Sequence, residues 1–77
     1  MKVYIHEEIK KLEDEICRGN EMINLLTSEI VDLTYELECE GALINHNRIG
    51  TLKQRIVSII GTNITRRLKI RKLKSKL

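Results

Sequence analysis

Residues 5–37 read IHEEIKKLEDEICRGNEMINLLTSEIVDLTYEL, and the spacing of the apolar side chains in this stretch decides the fold. Steps of four and three residues separate successive members of the stripe, which are Ile5, Ile9, Leu12, Ile16, Ile23, Leu26, Ile30, Leu33 and Leu37. This heptad spacing places them along one side of an α-helix, and that side needs a second surface to cover it. Gly19 interrupts the stripe and predicts a weak point or a break in the helix.

A second apolar stripe follows a segment rich in glycine and asparagine. Gly41, Asn45 and Asn47 predict a turn over residues 41–47, with Asn45 or Asn47 capping the next helix. Steps of three and four then return in Ile49, Leu52, Ile56, Ile59 or Ile60, Ile64 and Leu68. We expect a first helix over about residues 5–40, a second over about residues 48–70, and a basic tail over residues 66–77 that extends it.

These two stripes predict an all-α fold: an antiparallel two-helix hairpin, or long α-hairpin, with a basic C-terminal helical extension. The 77 residues suffice for one small domain, residues 1–77, in which each stripe covers the other. The alternative is a parallel dimer, because Ile at one seam position and Leu at the other suit a two-stranded coiled coil. The chain contains no proline, which agrees with long helices.

Charge is divided sharply between the two halves of the chain. Residues 1–40 contain four basic and all eleven acidic side chains, a net charge of −7. Residues 41–77 contain ten basic side chains and no acidic one, a net charge of +10, so the total is +3. A segment this cationic predicts an anionic partner, most simply a phosphate backbone. It has no aromatic residue, which favours structured RNA over single strands bound by stacking.

Candidate RNA-binding residues are therefore cations of the second half, together with two asparagines of the turn. They are Asn45, Asn47, Arg48, Lys53, Arg55, Arg66, Arg67, Lys69, Arg71 and Lys72. Arginine and lysine bind phosphate by charge, and arginine also by paired hydrogen bonds. The opposing interpretation is that these charges only keep a helix solvated. Ten cations without one acid in residues 41–77 favour the RNA interpretation.

Other classes of site find little support in the sequence. Cys17 and Cys39 lack the spacing of zinc ligands, so we expect no metal and two ordinary, partly buried thiols. His6 and His46 lie beside no group suited to catalysis, so we predict no enzyme, no cofactor and no small-molecule substrate. No apolar run reaches the roughly 20 residues that span a bilayer, so we expect no membrane partner.

An ordered set of short motifs resembles the ribosomal L-twenty-nine family, bacterial large-subunit protein twenty-nine. Residues 30–37, IVDLTYEL, resemble the family's apolar-aromatic segment, and Gly41-Ala42-Leu43-Ile44-Asn45 resembles its turn. Arg48-Ile49, a basic run and residues 56–59 then follow in the family's order. The resemblance covers about residues 30–64. Thr34 and Ser58 stand where the family has arginine, which marks a divergent member.

This resemblance implies a helical hairpin on the rRNA of the large ribosomal subunit, near the polypeptide exit tunnel. It also implies neighbouring large-subunit proteins as partners, with protein twenty-three among them. The expected location is the ribosome of a bacterial cytoplasm or of an organelle, plastid or mitochondrion. Two alternative functions are a coiled-coil dimer with a basic nucleic-acid-binding tail, and a peripheral membrane or partner-helix module that uses that tail. The absence of Trp and Phe weakens the second alternative.

Overall fold

Two long α-helices make up the computed structural model, which describes residues 2–77. Helix α1 covers Lys2–Glu40 and helix α2 covers Asn45–Lys74. They pack side by side in opposite directions and form a rod with principal extents of 58 × 14 × 11 Å. The predicted all-α hairpin is confirmed, and the basic tail continues α2 as far as Lys74.

Both helices are longer than the sequence predicted, and the turn is shorter. Helix α1 starts three residues before Ile5 and runs through Gly19 without a break. Helix α2 begins at Asn45 rather than at residue 48, which leaves residues 41–44 as the turn. The prediction that Asn45 or Asn47 caps α2 was wrong, because the N-cap is Ile44 and no side chain caps the helix.

Gly41 ends α1. Its φ angle of 69° lies in the left-handed region, where a side chain costs roughly 1–2 kcal/mol. The Ala42 N–H then donates to the Glu36 carbonyl oxygen at 3.3 Å, and the Asn45 N–H donates to the Ala42 carbonyl oxygen at 3.0 Å. These bonds satisfy groups that the two helix ends would leave free, so the chain reverses over four residues.

The α1 stripe predicted from the sequence is the surface that α1 buries. All nine of its members are buried or half-buried, with Ile9, Leu12 and Leu26 the most protected. Gly19 continues the same steps, since it lies three residues after Ile16 and four before Ile23. It is therefore a member of the helix–helix seam.

The predicted α2 stripe is correct from Ile49 to Ile59 and wrong beyond it. Ile64 and Leu68 are 50% and 53% exposed and do not face α1. The residues of α2 that are buried or half-buried follow an unbroken alternation of four and three: Asn45, Ile49, Leu52, Ile56, Ile59, Asn63, Arg66, Ile70 and Leu73. Asn63 and Arg66 thus occupy seam positions, whereas the hydrophobicity pattern had assigned Ile64 and Leu68 to the seam.

Gly19 explains why a polar residue enters the seam. Asn63 is only 1% exposed and lies directly against Gly19. A Cβ atom added at Gly19 would lie 2.8 Å from Asn63 Nδ2 and 2.9 Å from Asn63 Oδ1, inside van der Waals contact. The missing side chain of Gly19 is therefore the space that the Asn63 amide fills.

Hydrogen bonds hold the Asn63 amide in this space. Its Nδ2 donates to the Ile16 carbonyl oxygen at 3.4 Å and to Asn20 Oδ1 at 3.3 Å. Its Oδ1 accepts from Arg66 Nη1 at 2.9 Å, while Arg66 Nε donates to Glu15 Oε2 at 3.2 Å. Among the described residues, no buried side-chain nitrogen or oxygen lacks a partner. The polar layer therefore avoids the desolvation penalty that an unpaired buried amide would carry.

Replacing Gly19 with alanine is expected to destabilise the hairpin despite alanine's better helix propensity. The propensity gain is about 1 kcal/mol, whereas overpacking against the hydrogen-bonded Asn63 costs about 1–3 kcal/mol. The matched control is Gly61→Ala in α2, where an added Cβ meets nothing within 4 Å and the variant should gain up to about 1 kcal/mol. Urea unfolding followed by circular dichroism measures both, and equal stabilisation by the two substitutions would contradict the packing described.

The Gly19–Asn63 contact also predicts non-additivity. Asn63→Ala removes the side chain that an alanine at position 19 would meet, so Gly19→Ala should be less damaging in that background. A double-mutant cycle from the same unfolding curves should show a coupling of about 0.5–3 kcal/mol, the range typical of residues in contact. Strict additivity would mean that the two residues do not share the space.

Candidate nucleic-acid interface

Helix α2 carries every cation of the second half except Lys76, which follows it by two residues. Within the described residues only two of these cations form ion pairs, Arg48 with Glu29 and Arg66 with Glu15. The other eight have no acidic partner within 4.0 Å: Lys53, Arg55, Arg67, Lys69, Arg71, Lys72, Lys74 and Lys76. Although α2 packs against the acidic helix α1, most of its positive charge is therefore available to an external anion.

Two predicted RNA-binding residues are engaged with α1. Arg66 lies at a seam position, where it contacts Glu15 and Asn63 and its side chain is 26% exposed. Arg48 Nη2 lies 2.6 Å from Glu29 Oε1, although its side chain is 65% exposed. Arg66 therefore helps to hold the two helices together. Arg48 forms an ion pair with Glu29 at the surface, where it is still accessible to an external anion.

Asn45 is buried, which corrects its assignment to an RNA surface. Its Nδ2 donates to the Leu33 carbonyl oxygen at 3.1 Å and to Glu36 Oε2 at 3.0 Å. The amide thereby joins the first turn of α2 to the last turns of α1. Asn47, two residues later, is exposed, as a contact residue needs to be.

The remaining candidates are exposed along α2: Lys53, Arg55, Arg67, Lys69, Arg71 and Lys72. Lys74 and Lys76 extend the same surface, although they were not among the residues selected from the sequence. The sequence did indicate Lys74 and Lys76, because they belong to a run, residues 66–76, that contains seven cations and no acid. Cys17 and Cys39 are exposed too, which corrects the expectation of partly buried thiols.

Folding into a hairpin changes how the charge is distributed. The end that holds both termini, called the open end, contains residues 2–20 and 62–77, with eleven cations and five acids, or +6. The end that holds the turn, called the turn end, contains residues 21–61, with three cations and six acids, or −3. The rod is therefore positive at one end and negative at the other.

Six of the unpaired cations are concentrated in the last turns of α2 and just beyond it. We call them the open-end cation cluster: Arg67, Lys69, Arg71, Lys72, Lys74 and Lys76. Steps of three and four divide them between the two flanks of the seam, with Arg67, Arg71 and Lys74 on one flank and the others on the opposite flank or the back. The negative end of the α2 dipole lies here, which makes it a favourable place for cations.

A packed core supports this cluster. Ile70 is buried together with Ile9 and Leu12, and Leu73 packs against the same group. The cations near Ile70 and Leu73 are exposed on the surface of α2, and the contacts of Ile70 and Leu73 with α1 hold this part of α2 in place. From Arg67 to Lys74 the cluster is thus a preformed helical surface about 10 Å long, at about 1.5 Å per residue.

Comparison with protein-family models, with curated proteins and with solved structures finds no match to this chain. In the part of the chain that the structure describes, no three His, Cys, Asp or Glu side chains come close enough to hold a metal ion. Neither described helix contains a stretch both long and apolar enough to cross a membrane.

The two ion-paired arginines should differ in their effect on stability. Arg66→Ala removes a partner of both Glu15 and the buried Asn63, so we expect a loss of about 1–3 kcal/mol. Arg48→Ala removes a surface pair and should cost at most about 1 kcal/mol. Thermal unfolding of the two variants side by side measures this difference, and an equal or larger loss for Arg48→Ala would contradict it.

Proposed function

We propose that this protein is a non-catalytic RNA-binding component of the large ribosomal subunit, with the open-end cation cluster on rRNA phosphates. The observation that carries the proposal is the cluster itself, six exposed cations without an ion-pair partner at the end of a packed helix. Neutralising several phosphates releases their counterions, and that release drives binding to nucleic acid.

Helical RNA suits this surface better than single-stranded RNA does. The described part of residues 41–77 forms one helix and a turn and contains no aromatic ring on which a base could stack. A-form RNA is recognised mainly through its shape, its phosphates and its 2′-hydroxyls. A rigid helix with cations on several sides can contact two phosphate strands at once, so a helical junction or groove edge is the favoured target.

The ribosomal assignment rests on the family resemblance of residues 30–64. In the hairpin these residues form the turn end and the middle of α2, whereas the open-end cation cluster lies beyond them. Contacts with protein twenty-three and a position near the exit tunnel are carried over from the family as proposals. Thr34 and Ser58 replace the family's arginines, which shifts the proposed RNA contacts toward Arg67 and the residues after it.

Cosedimentation tests the assignment directly. A tagged form of the protein, expressed in its own host, should sediment with large ribosomal subunits through a high-salt sucrose cushion. Retention in high salt distinguishes an integral component from a cation-rich protein that binds ribosomes non-specifically, because non-specific binding is the salt-sensitive part. Quantitative release into the unbound fraction would overturn the ribosomal assignment while leaving RNA binding to be measured separately.

Two matched charge variants locate the RNA surface. Arg71→Gln/Lys72→Gln and Lys53→Gln/Arg55→Gln each remove one arginine and one lysine from exposed positions of α2. Binding to a double-stranded RNA hairpin is measured over a range of salt concentrations, and each lost phosphate contact should reduce the salt slope by about 1. We expect a reduction of about 2 for the first variant and a small change for the second. Equal reductions would contradict an interface centred on the open end.

A further inference from the structure

The open-end cation cluster divides into two rows on opposite flanks of α2. One row, which we call the arginine row, consists of Arg67, Arg71 and Lys74. The other, which we call the lysine row, consists of Lys69, Lys72 and Lys76. At 3.6 residues per turn, the centres of the two rows lie about 170° apart around the helix axis. The cluster is therefore two separate lines of positive charge, one on each side of the helix.

An acidic residue of α1 borders each row on the side that faces α1. Glu8 shares a groove with the lysine row, and Glu13 shares a groove with Arg67 and Lys74 of the arginine row. Neither carboxylate forms an ion pair with a described residue, so both keep their negative charge facing the groove. A phosphate that approaches along either groove therefore meets a carboxylate of α1.

The outer side of α2, which faces away from α1, has a cation row at each edge and no acid. Leu68 and Ser75 lie along its middle, seven residues apart, and both are exposed. Residues 62–77 contain seven cations and no acid, or +7, whereas residues 2–20 contain four cations and five acids, or −1. A polyanion therefore reaches both rows from the outer side of α2 without approaching the acids of α1.

We propose that the outer side of α2 lies in the minor groove of an A-form RNA duplex, with one cation row on each phosphate strand and α1 facing away. This inference rests on the proposed function, because it assigns a geometry to the RNA contact of the same cluster. Two rows on opposite flanks need anions on both sides of the helix, and a duplex groove has one phosphate strand along each edge. A single extended strand would engage one row and leave the other in solvent.

The shape of A-form RNA identifies the groove. An α-helix with its side chains is about 10–12 Å across, and the major groove of A-form RNA is too deep and narrow for side chains to read. The minor groove is wide and shallow and displays the 2′-hydroxyls. Ser75 Oγ donates to the Lys72 carbonyl oxygen at 2.6 Å, so it can still accept a hydrogen bond from a 2′-hydroxyl.

Three triple variants, each with three cations replaced by glutamine, test this orientation. Arg67→Gln/Arg71→Gln/Lys74→Gln removes the arginine row, and Lys69→Gln/Lys72→Gln/Lys76→Gln removes the lysine row. The matched control, Lys10→Gln/Lys11→Gln/Arg18→Gln, removes three exposed cations of α1 from the same end of the rod. Binding to a short RNA duplex is measured over a range of salt concentrations. Each row variant should lower the salt slope by about 3, and the control by less than about 1, with helical circular dichroism retained in all three.

A duplex with one neutral strand tests the contact with both strands. Methylphosphonate linkages remove the phosphate charge from one strand while the other stays anionic. With one row on each strand, the wild-type protein should lose about 3 from its salt slope whichever strand is neutral, since three phosphate contacts are lost in each case. A protein that contacts a single strand would bind the remaining anionic strand with an unchanged slope.

Three results would overturn this geometry while leaving the proposed function in place, because the wild-type protein would still bind RNA. They are clearly unequal losses from the two row variants, a loss from the α1 control as large as theirs, and an unchanged slope on the half-neutral duplex. The second of these would indicate that net charge alone controls binding. A wild-type chain that binds no RNA duplex would instead overturn the proposed RNA-binding function, and this geometry with it.

Discussion

Contact between Gly19 and Asn63 fixes how the two helices are aligned. Both seams repeat four and three residues without interruption, so apolar contacts alone would tolerate a shift of α2 by a heptad along α1. A shift would place the Asn63 amide against Leu12 or Leu26 and remove its bonds to Ile16 and Asn20. An unpaired buried amide costs about 1–3 kcal/mol, which is a large part of the stability of so small a protein.

The distribution of charge along the molecule depends on this alignment. It sets Ile70 and Leu73 beside Ile9 and Leu12, which anchors the cationic end of α2. It also determines that the acids of residues 21–40 and the cations of residues 62–77 lie at opposite ends of the rod. The two halves of the sequence carry opposite net charge, and the turn packs them side by side in one register. The resulting rod is therefore positive at its open end and negative at its turn end.

The hairpin and the whole α1 stripe were predictable from the sequence, because nine large apolar residues at helical spacing, interrupted only at Gly19, leave few alternatives. The prediction failed on α2 beyond Ile59, where it followed Ile64 and Leu68 onto the exposed side. The seam instead passes through Asn63 and Arg66, whose burial depends on a glycine 44 positions earlier and on an acid in α1. Such pairwise compensation is invisible to a hydrophobicity pattern, although a glycine within a heptad stripe is a signal for a larger residue opposite.

Among the proposed site residues, the exposed cations were correctly recognised as surface groups, since a charge run without acids can scarcely be buried. Asn45 and Arg66 were not distinguishable from them, because their burial follows from the register alone. Gly41, Asn45 and Asn47 were correctly placed near the reversal, whereas the predicted capping of α2 by Asn45 or Asn47 was wrong. Asn45 instead uses its amide to join α2 to the carbonyl of Leu33 and the carboxylate of Glu36.

The anchored end of α2 has a thermodynamic consequence for ligand binding. A cation-rich segment that folds only on its partner loses conformational entropy in the complex, which weakens the affinity for each contact made. Here Ile70 and Leu73 already hold the backbone as a helix, so that ordering cost belongs to folding of the free protein. Binding of an anionic partner would therefore carry no cost of ordering this backbone, and association would not wait for a coil-to-helix transition.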